Sequence, residues 1–191
     1  MQRKQNHDLG RLIDSCLAAF IAAGSLDLSL DQLAGKVGIS KRMLIHYFAT
    51  RDNLEEKALA LLEDRLRDSF RADRFPADAS LDGVVAALWE QSTAPQSRGI
   101  LLVIMDATRR GWSGAARAKS FYAGQQRLWV DLLTRYLPDA QAVEELLQLF
   151  QGAILVYLAT GDPEPGKRAL SRMLLLEAQS LSRYDRPERG N

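Results

Sequence analysis

Six side chains able to meet a polyanion or to read a base edge fall in one short stretch: Lys41, Arg42, Met43, His46, Tyr47 and Arg51. Arginine and lysine donate to guanine O6 and N7, and a methionine can lie against a thymine methyl. Tyrosine and arginine hold phosphate oxygens, which position a protein without reading sequence. From Lys36 to Arg51 there are four cations (Lys36, Lys41, Arg42 and Arg51) and no acid, although the whole chain is only +1. A local basic patch of this kind, rather than a basic chain, is what a specific nucleic-acid binder needs. Arg3 and Lys4 extend the charge into an N-terminal arm able to reach the DNA backbone or the minor groove.

The elements that must position these residues are written around them. Ser29 and Gln32 form a capping box that starts a helix. Leu30, Leu33, Ala34 and Val37 then recur at helical spacing, and Gly38 ends the helix with a residue free to take positive φ. Ile39 is an apolar plug. Ser40 caps a second helix, in which Leu44, Tyr47 and Phe48 point back at the first while Lys41, Arg42, Met43 and His46 lie outward. Thr50 caps a third helix that opens with Arg51. This is the outline of a helix-turn-helix, which puts the first turn of its second helix into the major groove of DNA. Ser29, Ser40, Lys41, Arg42, Met43, His46, Tyr47 and Arg51 are the candidate DNA-binding residues.

The segment 8–57 resembles the N-terminal domain of the tetracycline-repressor (TetR) family of bacterial transcription regulators. AAFIAAG at 18–24 is similar to the end of the family's first helix, LDQLAGKVGIS at 30–40 to its second helix and turn, KRMLIHYF at 41–48 to its recognition helix, and RDNL at 51–54 to the start of helix four. Ile45 stands where the family usually has Tyr, Leu28 and Ser29 where Thr and Ser or Thr are usual, and Arg51 where Lys is usual. The resemblance implies an all-α chain of about nine helices. A helix-turn-helix domain of three small helices would occupy 1–55, and a helical effector-binding and dimerisation domain 56–191. It implies a repressor that binds a palindromic operator in double-stranded DNA as a homodimer and is released by a small organic ligand. A regulator without an effector, or an activator, stays open as the alternative.

Behind this segment apolar residues keep the helical period to the end of the chain. Helices are predicted to about Arg71, from Ser80 to Thr93, to Arg110, from Ala115 to Tyr136, from Asp139 to Gly161, and from the Pro163–Pro165 region to about Arg183, with breaks at Pro and Gly. The last two have a wider apolar girth than a monomer's surface helix needs. They are the expected dimer interface, a four-helix bundle across a two-fold axis, with Leu147, Ile154, Leu158, Leu170, Leu174 and Leu181 as the candidate contacts. The middle helices carry most of the remaining aromatics. By resemblance they hold the effector pocket, with Leu62, Leu66, Trp89, Met105, Tyr122, Gln126, Trp129 and Gln151 as candidate ligand contacts and Gln125 as a further polar group. Asp106 and Arg109 are the charged exceptions in otherwise apolar stripes, which favours a neutral or hydrophobic effector.

Enzymatic chemistry finds little to stand on. There are two histidines and one cysteine. His7 lies near a terminus and His46 belongs to the recognition helix, and no phosphate loop or nucleophile motif is visible. Cys16 falls in the buried stripe of the first helix, where a thiol is an inert packing group. No cofactor and no metal site is expected. With no apolar run of membrane-spanning length and no signal-peptide pattern, the expected location is the cytoplasm.

Overall fold

The computed structural model describes residues 2–69, 71, 75–76, 78–112, 114 and 116–184, and for 2–8, 117–118 and 180–184 the backbone alone. The side chains of Arg3, Lys4, His7 and Leu181 therefore lie outside the described residues. Among the described residues every regular element is helical: α1 (Gln2–Ala23), α2 (Leu30–Val37), α3 (Lys41–Phe48), α4 (Arg51–Ser69), α5 (Leu81–Thr93), α6 (Arg98–Trp112), α7 (Ala116–Leu133), α8 (Ala140–Thr160) and α9 (Glu164–Tyr184), with a 3-10 turn at Pro95–Ser97. Local chemistry sets most of the ends. Ser80 Oγ accepts the Gly83 N–H at 3.1 Å to start α5, and the Asp139 carboxylate accepts the Gln141 N–H at 2.9 Å to start α8. The apolar stripe of the first helix predicts it from about Asp8 to Ala23, but α1 begins at Gln2, in a polar stretch that gives the period nothing to register.

The chain divides into two compact units, and the division differs from a boundary at residue 55. The first unit is Met1–Phe70 with Gln96–Leu128, and the second is Arg71–Pro95 with Trp129–Asn191. The reason is a shared core. Cys16, Leu17 and Phe20 of α1, Leu33 of α2, Leu44 and Phe48 of α3 and Leu54, Ala58 and Leu62 of α4 are buried with Val103 and Ala107 of α6 and Phe121 of α7. α6 thus belongs with the helix-turn-helix, and α4 is wholly part of that body. Burial pushes the Cys16 thiol up to about 11, so it stays protonated and packs as a small apolar group. α6 approaches α1 so closely that a Cβ on Gly99 would lie 2.3 Å from the Ile21 carbonyl oxygen. Only glycine fits there.

In the second unit α8 packs along α9, and both meet α5. Trp89 of α5 stands edge-on to Phe150 of α8, with ring centroids 5.5 Å apart, and Trp129 packs on the same ring at 5.0 Å. The Tyr157 hydroxyl donates to the Thr93 carbonyl oxygen at 2.8 Å, tying α8 to the end of α5. By length and composition α8 is apolar enough to cross a membrane, with mean hydropathy 1.4 over its best window, but in this fold it is the central packing helix of its unit.

Gly99→Ala tests the α1–α6 approach. The added methyl meets rigid backbone, so chemical denaturation should show a loss of roughly 2 kcal/mol, within the usual range for overpacked cores. Unchanged stability would mean that α6 does not approach α1 so closely.

Candidate nucleic-acid interface

The helix-turn-helix is held by the chemistry that its sequence prescribes. Ser29 Oγ accepts the Gln32 N–H at 3.2 Å while the Gln32 side chain accepts the Ser29 N–H at 2.8 Å, a complete capping box. Gly38 closes α2 at φ 75°, with its N–H on the Ala34 carbonyl oxygen at 3.0 Å. Ser40 Oγ accepts the Met43 N–H at 3.2 Å and starts α3. The exit from α3 is tighter. Ala49 takes φ 59°, ψ −50°, and the Thr50 N–H meets the Phe48 carbonyl oxygen at 2.6 Å, a γ-turn of the strained, positive-φ kind. Asn53 Nδ2 donates to the same Phe48 oxygen at 2.8 Å, and Thr50 Oγ1 accepts the Asn53 N–H at 3.1 Å, so the turn is clamped from the first turn of α4.

α3 is therefore a capped helix with its inner side fixed. Leu44 and Phe48 are buried, and Tyr47 is half-buried with its ring edge-on to His46 at 5.4 Å. Lys41, Arg42, Met43, Ile45 and His46 are exposed. Lys41 pairs with Asp31 of α2 at 2.8 Å, an exposed ion pair of little energetic weight that a phosphate can displace. Arg42 has no ion pair or hydrogen bond to another described residue, and its guanidinium stands free on the outer side.

No family model matches the sequence. The regulator BetI of Escherichia coli K12 is 27% identical over 176 residues, covering 84% of this chain and 87% of BetI. The regulator SrpR of Pseudomonas putida is 31% identical over 88 residues, 46% of this chain and 41% of SrpR. Both are described as helix-turn-helix transcriptional regulators. A crystal structure of a TetR-family regulator from Streptomyces coelicolor superposes with a TM-score of 0.76 at 19% identity, covering 97% of this chain and 92% of the other. The chain is therefore similar along most of its length to a helix-turn-helix transcriptional regulator and shares the fold of TetR-family regulators.

One expected DNA contact is turned inward. Arg51 was expected to hold a phosphate. Its Nε instead donates to the Leu28 carbonyl oxygen at 3.0 Å, one Nη donates to the Leu26 carbonyl oxygen, and the other reaches Glu55 at 3.0 Å. Its donors are committed to the loop between α1 and α2, which spacing alone could not reveal. The same loop is gripped from α6. Asp106 accepts the Leu26 N–H at 2.8 Å and the Ser25 hydroxyl at 3.3 Å. Arg109 bonds Asp106 at 2.7 Å and Asp27 at 3.2 Å, and Arg110 bonds Glu55 at 3.0 Å and also Asp27. Glu55, Asp27 and Arg110 escaped sequence reasoning. The available signal was Asp106, Arg109 and Arg110 at helical spacing beside apolar Val103 and Ala107, which marks a polar edge on a core helix.

Burial pushes the Glu55 carboxyl above its ordinary value, and Arg110 and Arg51 only partly pull it back. Burial also raises Asp106, but the Leu26 N–H and the two arginines outweigh it and hold that carboxyl low. Asp106 therefore contributes stability above the ordinary carboxylate range, lost as pH falls through its depressed value. Glu55 contributes in the opposite sense, favouring the fold at low pH and losing that contribution as pH rises through its raised value.

The expected ligand contacts fall in both units. Leu62, Leu66, Met105, Tyr122 and Gln126 lie in the first, and Trp89, Trp129 and Gln151 in the second. Leu62 and Trp89 are buried and Tyr122 is exposed; the other five are half-buried. The buried amide is that of Gln125, not Gln126, and its Nε2 has no hydrogen-bond partner among the described residues. Of the expected dimer contacts, Leu147, Ile154, Leu170 and Leu174 are buried inside the second unit and Leu158 is half-buried. The apolar surface that α8 presents outward is instead Gly152, Leu155, Val156 and Ala159, one helical stripe. α9 presents Leu175 and Leu176. The broad apolar girth of α8 and α9 has two sides, and Leu147, Ile154, Leu170 and Leu174 lie on the inward one.

Arg110→Met removes the Glu55 and Asp27 bonds while keeping the aliphatic stem. Urea unfolding at pH 7 should show a loss of about 2 kcal/mol. The loss should shrink as pH falls towards about 4, because Glu55 then takes up a proton and no longer needs a counter-charge. A loss independent of pH would show that Glu55 is not the group left exposed to burial.

Proposed function

We propose that this chain is a transcriptional regulator of the TetR family, a repressor that binds a palindromic operator as a homodimer, reading bases through α3, and that a small organic ligand releases it. The observation that carries the DNA contact is the outer side of α3. Arg42, Met43 and His46 stand exposed on a helix whose start is capped and whose inner side is locked in the core. Arg42 reads a guanine, Met43 touches a thymine methyl, and Lys41 leaves Asp31 for a phosphate. Ser29 and Ser40 keep their hydroxyl protons free for phosphate oxygens at the two helix starts. Arg51 acts from behind, holding the loop that carries α2.

The stripe Gly152–Leu155–Val156–Ala159 with Leu175 and Leu176 is the surface for a second copy. A two-fold axis through it would set two recognition helices about one DNA turn, roughly 34 Å, or a multiple of it apart. The effector is neutral and carries a hydrogen-bond acceptor for Gln125. It acts through α6, because α6 shares both core and ion pairs with the helix-turn-helix, and it must bind the two states of the protein with different affinity. The protein acts in the cytoplasm.

Selection of bound sequences from a random DNA pool by the purified protein should return a palindrome. Recovery of no preferred sequence would end this reading. On the selected operator Arg42→Ala should lose about 1–3 kcal/mol of binding by fluorescence anisotropy and relax the preference at one position per half-site. Full affinity in that variant would remove Arg42 from base readout. Leu155→Glu combined with Leu175→Glu should sediment as a monomer and lose the palindrome preference. A persistent dimer would place the interface elsewhere.

A further inference from the structure

The outer side of the recognition helix is not uniformly polar. At about 100° per residue, Arg42 and His46 lie opposite the buried Leu44 and Phe48, and Met43 and Ile45 flank that polar centre on its two sides. Met43 is 41% exposed and Ile45 45% exposed. Two of the eight large apolar side chains exposed among the described residues are thus on this eight-residue helix. Ile45 shares its side with Arg42, three residues earlier, and Lys41, four earlier. An apolar group set among cations suits a polyanion that also offers apolar groups. The major groove of DNA does so at one place, the 5-methyl group of thymine. Branching at Cβ restricts Ile45 to one main rotamer on a helix, so its methyls are held in place before binding.

We propose that Ile45 is a specificity-determining residue: it packs on the methyl of a thymine beside the base pair met by Arg42, so that each half-site carries thymine next to guanine. This rests on the DNA-binding reading above and adds the base class that the apolar flank selects. The test uses the full-length protein and its selected operator, with each thymine in turn replaced by deoxyuridine, which removes only the 5-methyl group. Wild-type protein should lose about fourfold in affinity per half-site at one thymine next to the Arg42-dependent guanine, the equivalent of one methyl-sized group left unburied. In Ile45→Ala that penalty should vanish while any penalty at a Met43-dependent thymine remains. Ile45→Val, which keeps the branched methyls, should retain it. Circular dichroism confirms that the exposed substitutions leave the fold intact. An operator with no thymine at that position, or a deoxyuridine penalty that persists in Ile45→Ala, overturns the assignment and leaves DNA binding standing. Failure to select any DNA overturns both.

Discussion

Arg110 reaches from α6 to Glu55 and Asp27, and the placement of the helix-turn-helix depends on that reach. The loop between α1 and α2 has no regular structure to hold it, yet it sets where α2 starts and so how the α2–α3 pair stands. Its carbonyls at Leu26 and Leu28 go to Arg51, and its Leu26 N–H goes to Asp106. Arg51 is held by Glu55, and Glu55 by Arg110. Each link satisfies a polar group that burial would otherwise penalise, so the links stand or fall together. Burial raises the Glu55 carboxyl, so its charge is kept in a place that resists it and depends on Arg110 and Arg51. What the arrangement supplies is position.

This makes α6 more than a neighbour of the helix-turn-helix. Gly99 lets its start approach Ile21, Val103 and Ala107 fill the core of the first unit, and its last turn holds the loop. Any ligand that shifted α6 would move a helix that has no slack against α1. Interiors packed at this density transmit displacement rather than absorb it. The γ-turn at Ala49 adds a second stiff joint, because a strained residue clamped by Asn53 and Thr50 fixes the angle at which α3 leaves for α4. α3 is thus held at both ends by local geometry and along one side by the core.

Where the sequence was legible, the signal was local. The capping box at Ser29, the Gly38 stop and the Ser40 cap each concern residues within four positions of one another, and the structure reproduces all three. Helix period found every helix of the described chain for the same reason. What was not legible depended on partners distant in sequence. Arg51 looked like a phosphate contact because an arginine at a helix start beside basic residues usually faces solvent. Only the fold brings Leu26, Leu28 and Glu55 around it. The apolar girth of α8 was visible, but period alone cannot tell the side covered by α5 and α9 from the side left open, and Leu147 and Leu155 look equally suited to either. The return of α6 to the first core was not legible either, since nothing in the order of residues announces it.

Charge then decides what one chain can do alone. With Arg51 turned inward, the exposed cations around α3 are Lys36, Lys41 and Arg42, and Lys41 already has Asp31 beside it. Binding to phosphates weakens with salt at a slope of about −0.9 per phosphate neutralised, so under the proposed reading these few cations would give one copy only a weak hold on DNA. Adding cations would raise affinity for every sequence equally. Joining two copies through an apolar surface doubles the phosphate contacts and requires two correct half-sites at one spacing, which favours the right sequence over all others. A net charge of +1 and an exposed leucine–valine stripe are the features on which the proposed two-copy reading rests.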